Sequence, residues 1–258
     1  MASPVTRAQI DAIVHALAVV LPARTPADVV LKHYFRDNRS LGSRDRALVA
    51  DTVYSVLRRR RLLETLTPSA APRELALASL VKLQGVSIGQ LESLLKSSER
   101  NWLAELKARD MDALPFEVKA DLPDWVIERL RRRYADAEIL ALARSLQHPA
   151  PLDLRVNTLK APREAVLQRL EADGTPGIPT RYSPLGVRVK EKVALNRHPM
   201  FLDGAVEVQD EGSQLLGLLV EPRRTDMVVD FCAGAGGKTL QLGAAMGSHG
   251  RLYAYDVS

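Results

Sequence analysis

Over residues 1–146 apolar positions recur at helical spacing, and no period-two run appears. In the first segment Ile10, Ile13, Val14, Leu17 and Leu21 fall three and four apart, which predicts one buried helical stripe. A second helix is predicted from "LGSRDRAL", where Gly42 and Ser43 are stop and cap signals. It turns Leu48, Val49, Thr52, Val53, Val56 and Leu57 inward and ends in the run Arg58–Arg61. Further helical pieces are read at "RELALASLVKL", "IGQLESLLK", "DWVIERLRRRY" and "AEILALARSLQ", separated by breakers such as Pro68, Pro72, Pro115 and Pro123. The sum predicts a helical bundle over 1–146, with Trp102 and Trp125 as core or boundary aromatics.

After "QHPAP" the period changes to two. Leu152, Leu154 and Val156 alternate with Asp153, Arg155 and Asn157, a strand signal. "APREAVLQRLEADG" then reads as a helix ended by Gly174, and "GVRVKEKVAL" and "GAVEVQD" supply further strand-like alternation. Residues 147–210 are therefore expected to form a small α+β domain. From Glu211 the order becomes helix, strand, glycine loop, helix, strand, the opening of a doubly wound α/β domain over 211–258. A sheet of this kind usually has about five strands or more, so the third domain is expected to be incomplete. Its strands around Val228 and Leu252 should then present open edges and apolar faces, with low solubility or local disorder after about residue 211.

Composition narrows the function. The chain has 258 residues, 36 Lys and Arg against 31 Asp and Glu, and a formal net charge of +5. An arginine-rich excess suits phosphate backbones, and it equally suits a solvated surface. The clusters at 58–61 and 129–133 share both readings: cations favoured at the negative ends of helices, or an RNA-facing surface. The single cysteine, Cys232, excludes an intramolecular disulfide and a multi-cysteine zinc site, and five scattered histidines offer no ligand pair, so no metal is expected. No run is apolar enough for a membrane span, and the N-terminus lacks a signal-peptide pattern. A soluble cytoplasmic protein without membrane contact is the expectation.

The informative motif is "VVDFCAGAGGKT", Val228 to Thr239. A phosphate-binding G-x-x-x-x-G-K-[ST] loop ending at Gly237 and Lys238 requires glycine where Cys232 stands. The dinucleotide fingerprint G-x-G-x-x-G begun at Gly234 and Gly236 requires glycine where Thr239 stands. The adenosyl-methionine pattern fits: two apolar strand residues, an acid, three residues, then G-x-G. Small residues there let a backbone approach the methionine and ribose portions of the cofactor. Asp256, at the end of the next strand and roughly twenty residues on, occupies the place of a ribose-binding acid; the plainer reading of loop and acid is a tight turn and a helix cap.

These same residues resemble the RsmB/Sun family of RNA cytosine-5 methyltransferases, whose signature is close to Q-D-x-[SG]-S-Q followed by D-x-C-A-x-P-G-G-K-T. Here the matching stretches are "QDEGSQ" and "DFCAGAGGKT", with Gly234-Ala235 in place of the usual Ala-Pro. "LRVNTLK" is similar to the strand opening the family's small RNA-binding domain, and residues 43–66 resemble its NusB-related helical domain. The resemblance implies a NusB-like bundle, a small RRM-like domain and the first part of a Rossmann-like methyltransferase domain. It implies S-adenosyl-L-methionine held by Cys232, Ala233, Gly234, Ala235, Gly236, Gly237, Lys238 and Asp256, with Lys238 equally readable as a loop-stabilising residue. RNA, in particular small-subunit rRNA, would meet Arg155, Asn157, Arg58 and Arg59, and the product would be 5-methylcytosine. Family chemistry uses two cysteine thiols, one of which adds to C6 of the base so that C5 becomes enamine-like. Cys232 lies in the cofactor loop, so both catalytic cysteines are expected beyond residue 258 and the chain alone is expected to be inactive. The alternative is a non-catalytic RNA-binding protein.

Overall fold

The computed structural model describes residues 5–189 and 195–257. They fall into two compact units, 1–148 and 149–258. Residues 190–194 of the strand-like stretch "GVRVKEKVAL" lie outside the described residues.

The first unit is helical throughout its described length: α1 (Arg7–Val20), α2 (Ala27–Asp37), α3 (Ser43–Arg58), α4 (Arg60–Leu66), α5 (Pro72–Ala78), α6 (Ile88–Leu91), α7 (Ser97–Ala108), α8 (Phe116–Ala120), α9 (Asp124–Leu130) and α10 (Asp136–Leu146). A reciprocal capping box starts α1, in which Gln9 N–H donates to Thr6 Oγ1 and Thr6 N–H to Gln9 Oε1. Ile10, Ile13 and Leu17 are buried as their spacing requires, against Val49, Val53 and Val56 of α3 and Leu75 of α5. Thr52, predicted inward, reaches a polar partner there: Gln84 Nε2 donates to Thr52 Oγ1 and to Ser79 Oγ. Ser79 opens a π-turn, Ser79–Leu83, that ends the α5 rod.

Two expectations change in this unit. Trp102 is half-buried and donates from Nε1 to Leu66 O, but Trp125 is 65% exposed at the start of α9, so it is not a core aromatic. The arginine run is a bracket inside the bundle rather than a free helix end. Arg59 interrupts the helix between α3 and α4 and its Nε lies 2.9 Å from Asp121 Oδ2. Arg60 pairs with Glu64, and Arg61 donates to Leu122 O and Asp124. Asp121, in the left-handed region at φ 55°, also accepts from Leu62 N–H. Desolvation raises its pKa against the lowering pull of Arg59.

In the second unit β1 (Leu152–Val156), β2 (Gly177–Pro179), β3 (Gly186–Val189) and β4 (Val206–Val208) form an antiparallel sheet in the order β2-β3-β1-β4. Helix α11 (Arg163–Ala172), ended by Gly174 at φ 72°, packs Val166 and Leu170 with Leu154, Val156 and Val187; α12 (Pro199–Leu202) adds Met200. The other face of β1 is closed as well, so Asp153 and Arg155 are buried where alternation alone gave a polar face. Helix α13 (Glu211–Leu219) lies over it. Strand β5 (Met227–Asp230), helix α14 (Gly237–Ala245) and β6 (Arg251–Ala254) follow, and β5 pairs with β6 in parallel. Regular elements thus span 211–254, and the open apolar face expected of this sheet is seen at Met227, Val229 and Tyr253, all exposed. Among the described residues no helix is long and apolar enough to cross a membrane.

A part-buried ion pair in the bundle makes its stability depend on pH. Arg73 grips Glu99 with Nε on Oε1 at 2.7 Å and Nη2 on Oε2 at 3.1 Å, while Glu99 also accepts Lys96 N–H at the start of α7. The Arg73 bond, then the backbone bond, outweigh desolvation and hold the Glu99 carboxyl below its ordinary pKa. A lowered folded-state pKa contributes stability above the unfolded value that is lost as pH falls through the folded one. Glu99→Gln is expected to cost about 1–3 kcal/mol at pH 7, and urea unfolding should show that cost shrinking as the solution is acidified.

Candidate functional site

The glycine loop joins the C-terminal end of β5 to α14. Parallel pairing brings Asp230 opposite Ala254, so the residues after each strand meet at one end of the sheet. Gly234 (φ 52°) and Gly236 (φ 84°) take left-handed conformations that a Cβ would strain, and Gly236 is the N-cap of α14. A Cβ built on either would meet nothing within 4 Å, so their immediate surroundings are open space rather than packed neighbours.

Side chains and backbone brace this loop from behind. Thr239 Oγ1 donates to Asp230 Oδ2 at 2.6 Å, and Cys232 N–H to Asp230 Oδ1 at 3.4 Å. Asp256 Oδ2 accepts Gly234 N–H at 2.7 Å, so the acid named for ribose contact stands directly at the loop. Ala233 N–H donates to Tyr255 O and Gly236 N–H to Ala233 O. Of the run named from sequence, Cys232, Gly234 and Ala235 are exposed, and Ala233, Gly236, Gly237 and Lys238 are half-buried. The Lys238 side chain makes no hydrogen bond or ion pair among the described residues, so a loop-stabilising role has no side-chain bond behind it. Chemically this is a backbone cradle at parallel strand ends with a carboxylate on its rim, suited to a ligand that offers hydroxyl donors to an acid.

Behind the cradle runs a buried chain of amides. Arg155 Nε donates to Gln209 Oε1 at 2.6 Å, Gln209 Nε2 to Gln241 Oε1 at 3.1 Å, and Gln241 Nε2 to Gln214 O at 2.8 Å. Gln214 Nε2 donates to Gln209 O and Leu154 O, and its Oε1 accepts from Ser183 Oγ. Asp210 caps α13 by accepting from Gly212 and Ser213 N–H. Glu211 accepts from Tyr182 and Ser183 N–H; against desolvation, those two bonds bring its pKa below the ordinary value. The "QDEGSQ" motif is therefore a set of internal ties. Gln241 had no local signal in the sequence, since its role exists only once α14 lies beside α13.

The residues named for RNA contact are placed differently. Arg155 is 2% exposed and Asn157 is spent on the turn after β1, donating from Nδ2 to Gly204 O and accepting Leu159 N–H at Oδ1. Arg155 is corrected from an RNA-facing residue to an internal one, because the second face of β1 is covered, while Asn157 is half-buried at the turn beyond the strand. Arg59 is committed to Asp121, and the Arg58 side chain makes no hydrogen bond or ion pair among the described residues. No group of three or more potential metal-binding side chains occurs among the described residues.

Residues 122–196 match the family described as Methyltr_RsmF/B-like, ferredoxin-like domain, a stretch that begins just ahead of α9. A probable ribosomal RNA small subunit methyltransferase B of Synechocystis is 27% identical over 246 residues, covering 82% of this chain and 55% of that protein. The ribosomal RNA small subunit methyltransferase B of Xylella fastidiosa strain 9a5c is 31% identical over 224 residues, covering 77% and 52%. The chain spans about half the length of these curated relatives. The crystal structure of PH0851 shares the fold, with a TM-score of 0.73 at 21% identity over 100% of this chain and 65% of that one.

Two substitutions separate the loop brace from the amide chain. A Cβ on Gly217 would stand 2.3 Å from Gln241 Oε1, whose amide is held at both ends, so Gly217→Ala should cost about 1–3 kcal/mol in chemical denaturation. Thr239→Val removes the hydroxyl donor from the buried Asp230 carboxylate, with an expected loss of about 1–3 kcal/mol. Hydrogen exchange should localise that loss to the loop and leave β1 protected.

Proposed function

We propose, from the premise that this chain belongs to the RsmB/Sun family of methyltransferases, that it carries the cofactor loop and RNA-handling portions of an enzyme forming 5-methylcytosine in small-subunit rRNA. The observation that carries this proposal is the braced loop at the parallel strand ends, with open space at Gly234 and Gly236 and Asp256 on its rim. A hydroxyl-bearing adenosyl group fits such a cradle: the glycines admit close backbone approach, and the Asp256 carboxylate is an acceptor for ribose hydroxyls. Residues Cys232 to Lys238 would hold S-adenosyl-L-methionine, which supplies an electrophilic methyl group when bound. Asp230 and Thr239 fix the loop's shape from behind.

Cys232 is assigned to the loop and not to nucleophilic attack. Its amide is tied to Asp230, and with one cysteine in 258 residues no second thiol is present to release a C5-methylated base. The working arrangement is a NusB-like helical domain over 1–146, an RRM-like domain over 147–210 and the first part of a Rossmann-like domain over 211–258. RNA contact is assigned to Arg58, whose side chain has no hydrogen bond or ion pair among the described residues, with Arg59 secondary because Asp121 already holds it. The relatives named as methyltransferases favour an enzyme over a purely RNA-binding protein.

Titration calorimetry with S-adenosyl-L-methionine tests the site. Saturable binding is expected, weakened about tenfold or more by Asp256→Ala and abolished by Gly236→Val, which fills the open side of the loop. Unchanged affinity in both variants would sink the assignment. The 258-residue chain is expected to leave 5-methylcytosine undetectable in 16S rRNA after incubation with the cofactor, and mass-spectrometric detection of the modified base would show that catalysis needs no second cysteine.

A further inference from the structure

A cavity of about 420 Å³ lies within the second unit, between the end of β1 and helices α13 and α14. Its wall is largely apolar, including Val156, Leu185, Leu218, Pro222 and Ala244, and Arg155 is the one basic residue on it. That arginine is nearly completely buried, and burial is the leading cause that lowers its pKa. Its Nε is used by Gln209, and no other hydrogen bond or ion pair to it is made among the described residues. Glu207, its partner across the β1–β4 ladder, acts on it only from beyond ion-pair distance.

The neighbouring buried charge on the same strand is treated very differently. Asp153 is met by Arg188 with two parallel bonds, Nε to Oδ1 at 2.7 Å and Nη2 to Oδ2 at 2.8 Å. A buried charge without a counter-ion is costly, and a guanidinium has a planar fork of donors that matches a carboxylate. The rest of the wall offers few donors and mostly carbon, which suits an acid with an apolar body better than a bare phosphate with its several charged oxygens.

We propose that this cavity is a binding site for an organic monocarboxylate, its carboxylate on the free side of the Arg155 guanidinium and its apolar body against Leu185, Leu218 and Ala244. The site is separate from the glycine loop and does not depend on the cofactor assignment. The carboxylate belongs either to a free small acid or to an acidic side chain flanked by apolar residues on a polypeptide; both present the same group to the same fork. Glu221, also on the wall, opposes an anion and sets a limit on affinity.

Hexanoate is the probe, with hexanamide as its uncharged counterpart and inorganic phosphate as the bare anion, each titrated into the full chain and followed by calorimetry and thermal unfolding. Saturable binding of hexanoate with a rise in Tm is expected, with hexanamide and phosphate much weaker. Arg155→Met should weaken hexanoate about tenfold or more, the loss of a charge-assisted hydrogen bond. Because that variant removes a buried tie and could fail to fold, Glu221→Gln and Ala244→Leu provide independent tests. The first should tighten hexanoate about two- to threefold by removing a like charge, and the second should abolish binding by filling the cavity while leaving cofactor binding at the loop intact. A blocked Leu-Glu-Leu peptide that displaces hexanoate at lower concentration would identify a side-chain source, and one that fails to displace it would identify a free acid. Absence of saturable hexanoate binding, equal binding of hexanamide or phosphate, or affinity untouched by Ala244→Leu would overturn the proposal.

Discussion

The polar face of β1 has to be satisfied without water, and the second unit is organised around that requirement. Burying Asp153 and Arg155 leaves one carboxylate and one guanidinium that must find partners inside the protein. Arg188 meets the first and Gln209 takes one nitrogen of the second. Gln209 must then be oriented in turn, which Gln241 and Gln214 accomplish by handing hydrogen bonds from α14 to α13 and back to the carbonyl of Leu154. The amide chain therefore fixes how α13 and α14 rest on the small sheet, and α14 carries the loop at its N-terminus. Loop geometry and sheet packing are consequences of one buried network, in which each member removed leaves a neighbour unsatisfied.

The helical unit solves a charge problem by a different route. Four consecutive arginines at the junction of α3 and α4 would repel one another, and three are drawn aside by separate partners: Arg59 to Asp121, Arg60 to Glu64 and Arg61 to Leu122 O and Asp124. The left-handed backbone at Asp121 turns its carboxylate toward both Arg59 and the amide of Leu62, so a strained residue is retained because it closes two bonds. Charge density in the sequence thus overstates the charge left for an external phosphate.

Local periodicity was enough to read most elements. The helical stripes of α1 and α3, the helix ended by Gly174, and the order α13, β5, α14, β6 all follow from spacing, caps and breakers acting within a few residues. The loop was equally legible, because a tight turn with left-handed glycines demands small residues in a fixed order. What escaped the sequence depends on contacts between distant segments. Alternation in "LDLRVNT" marks two faces and cannot say that α13, some sixty residues on, covers the polar one. Trp125 reads as a core or boundary aromatic by its chemistry, yet the short α9 buries Ile127 and turns Trp125 outward. Asp230 and Thr239 gain their role only when the turn of α14 carries the hydroxyl back over the strand end.

Gly217 sits so close to the amide of Gln241 that a Cβ at position 217 would claim the space the amide fills. Any lineage that enlarges position 217 must first or simultaneously shorten position 241, and shortening 241 alone opens a gap and strands Gln209. The two positions are therefore coupled: the cost of a change at one depends on the residue at the other, so natural variation at one should be conditioned on its neighbour.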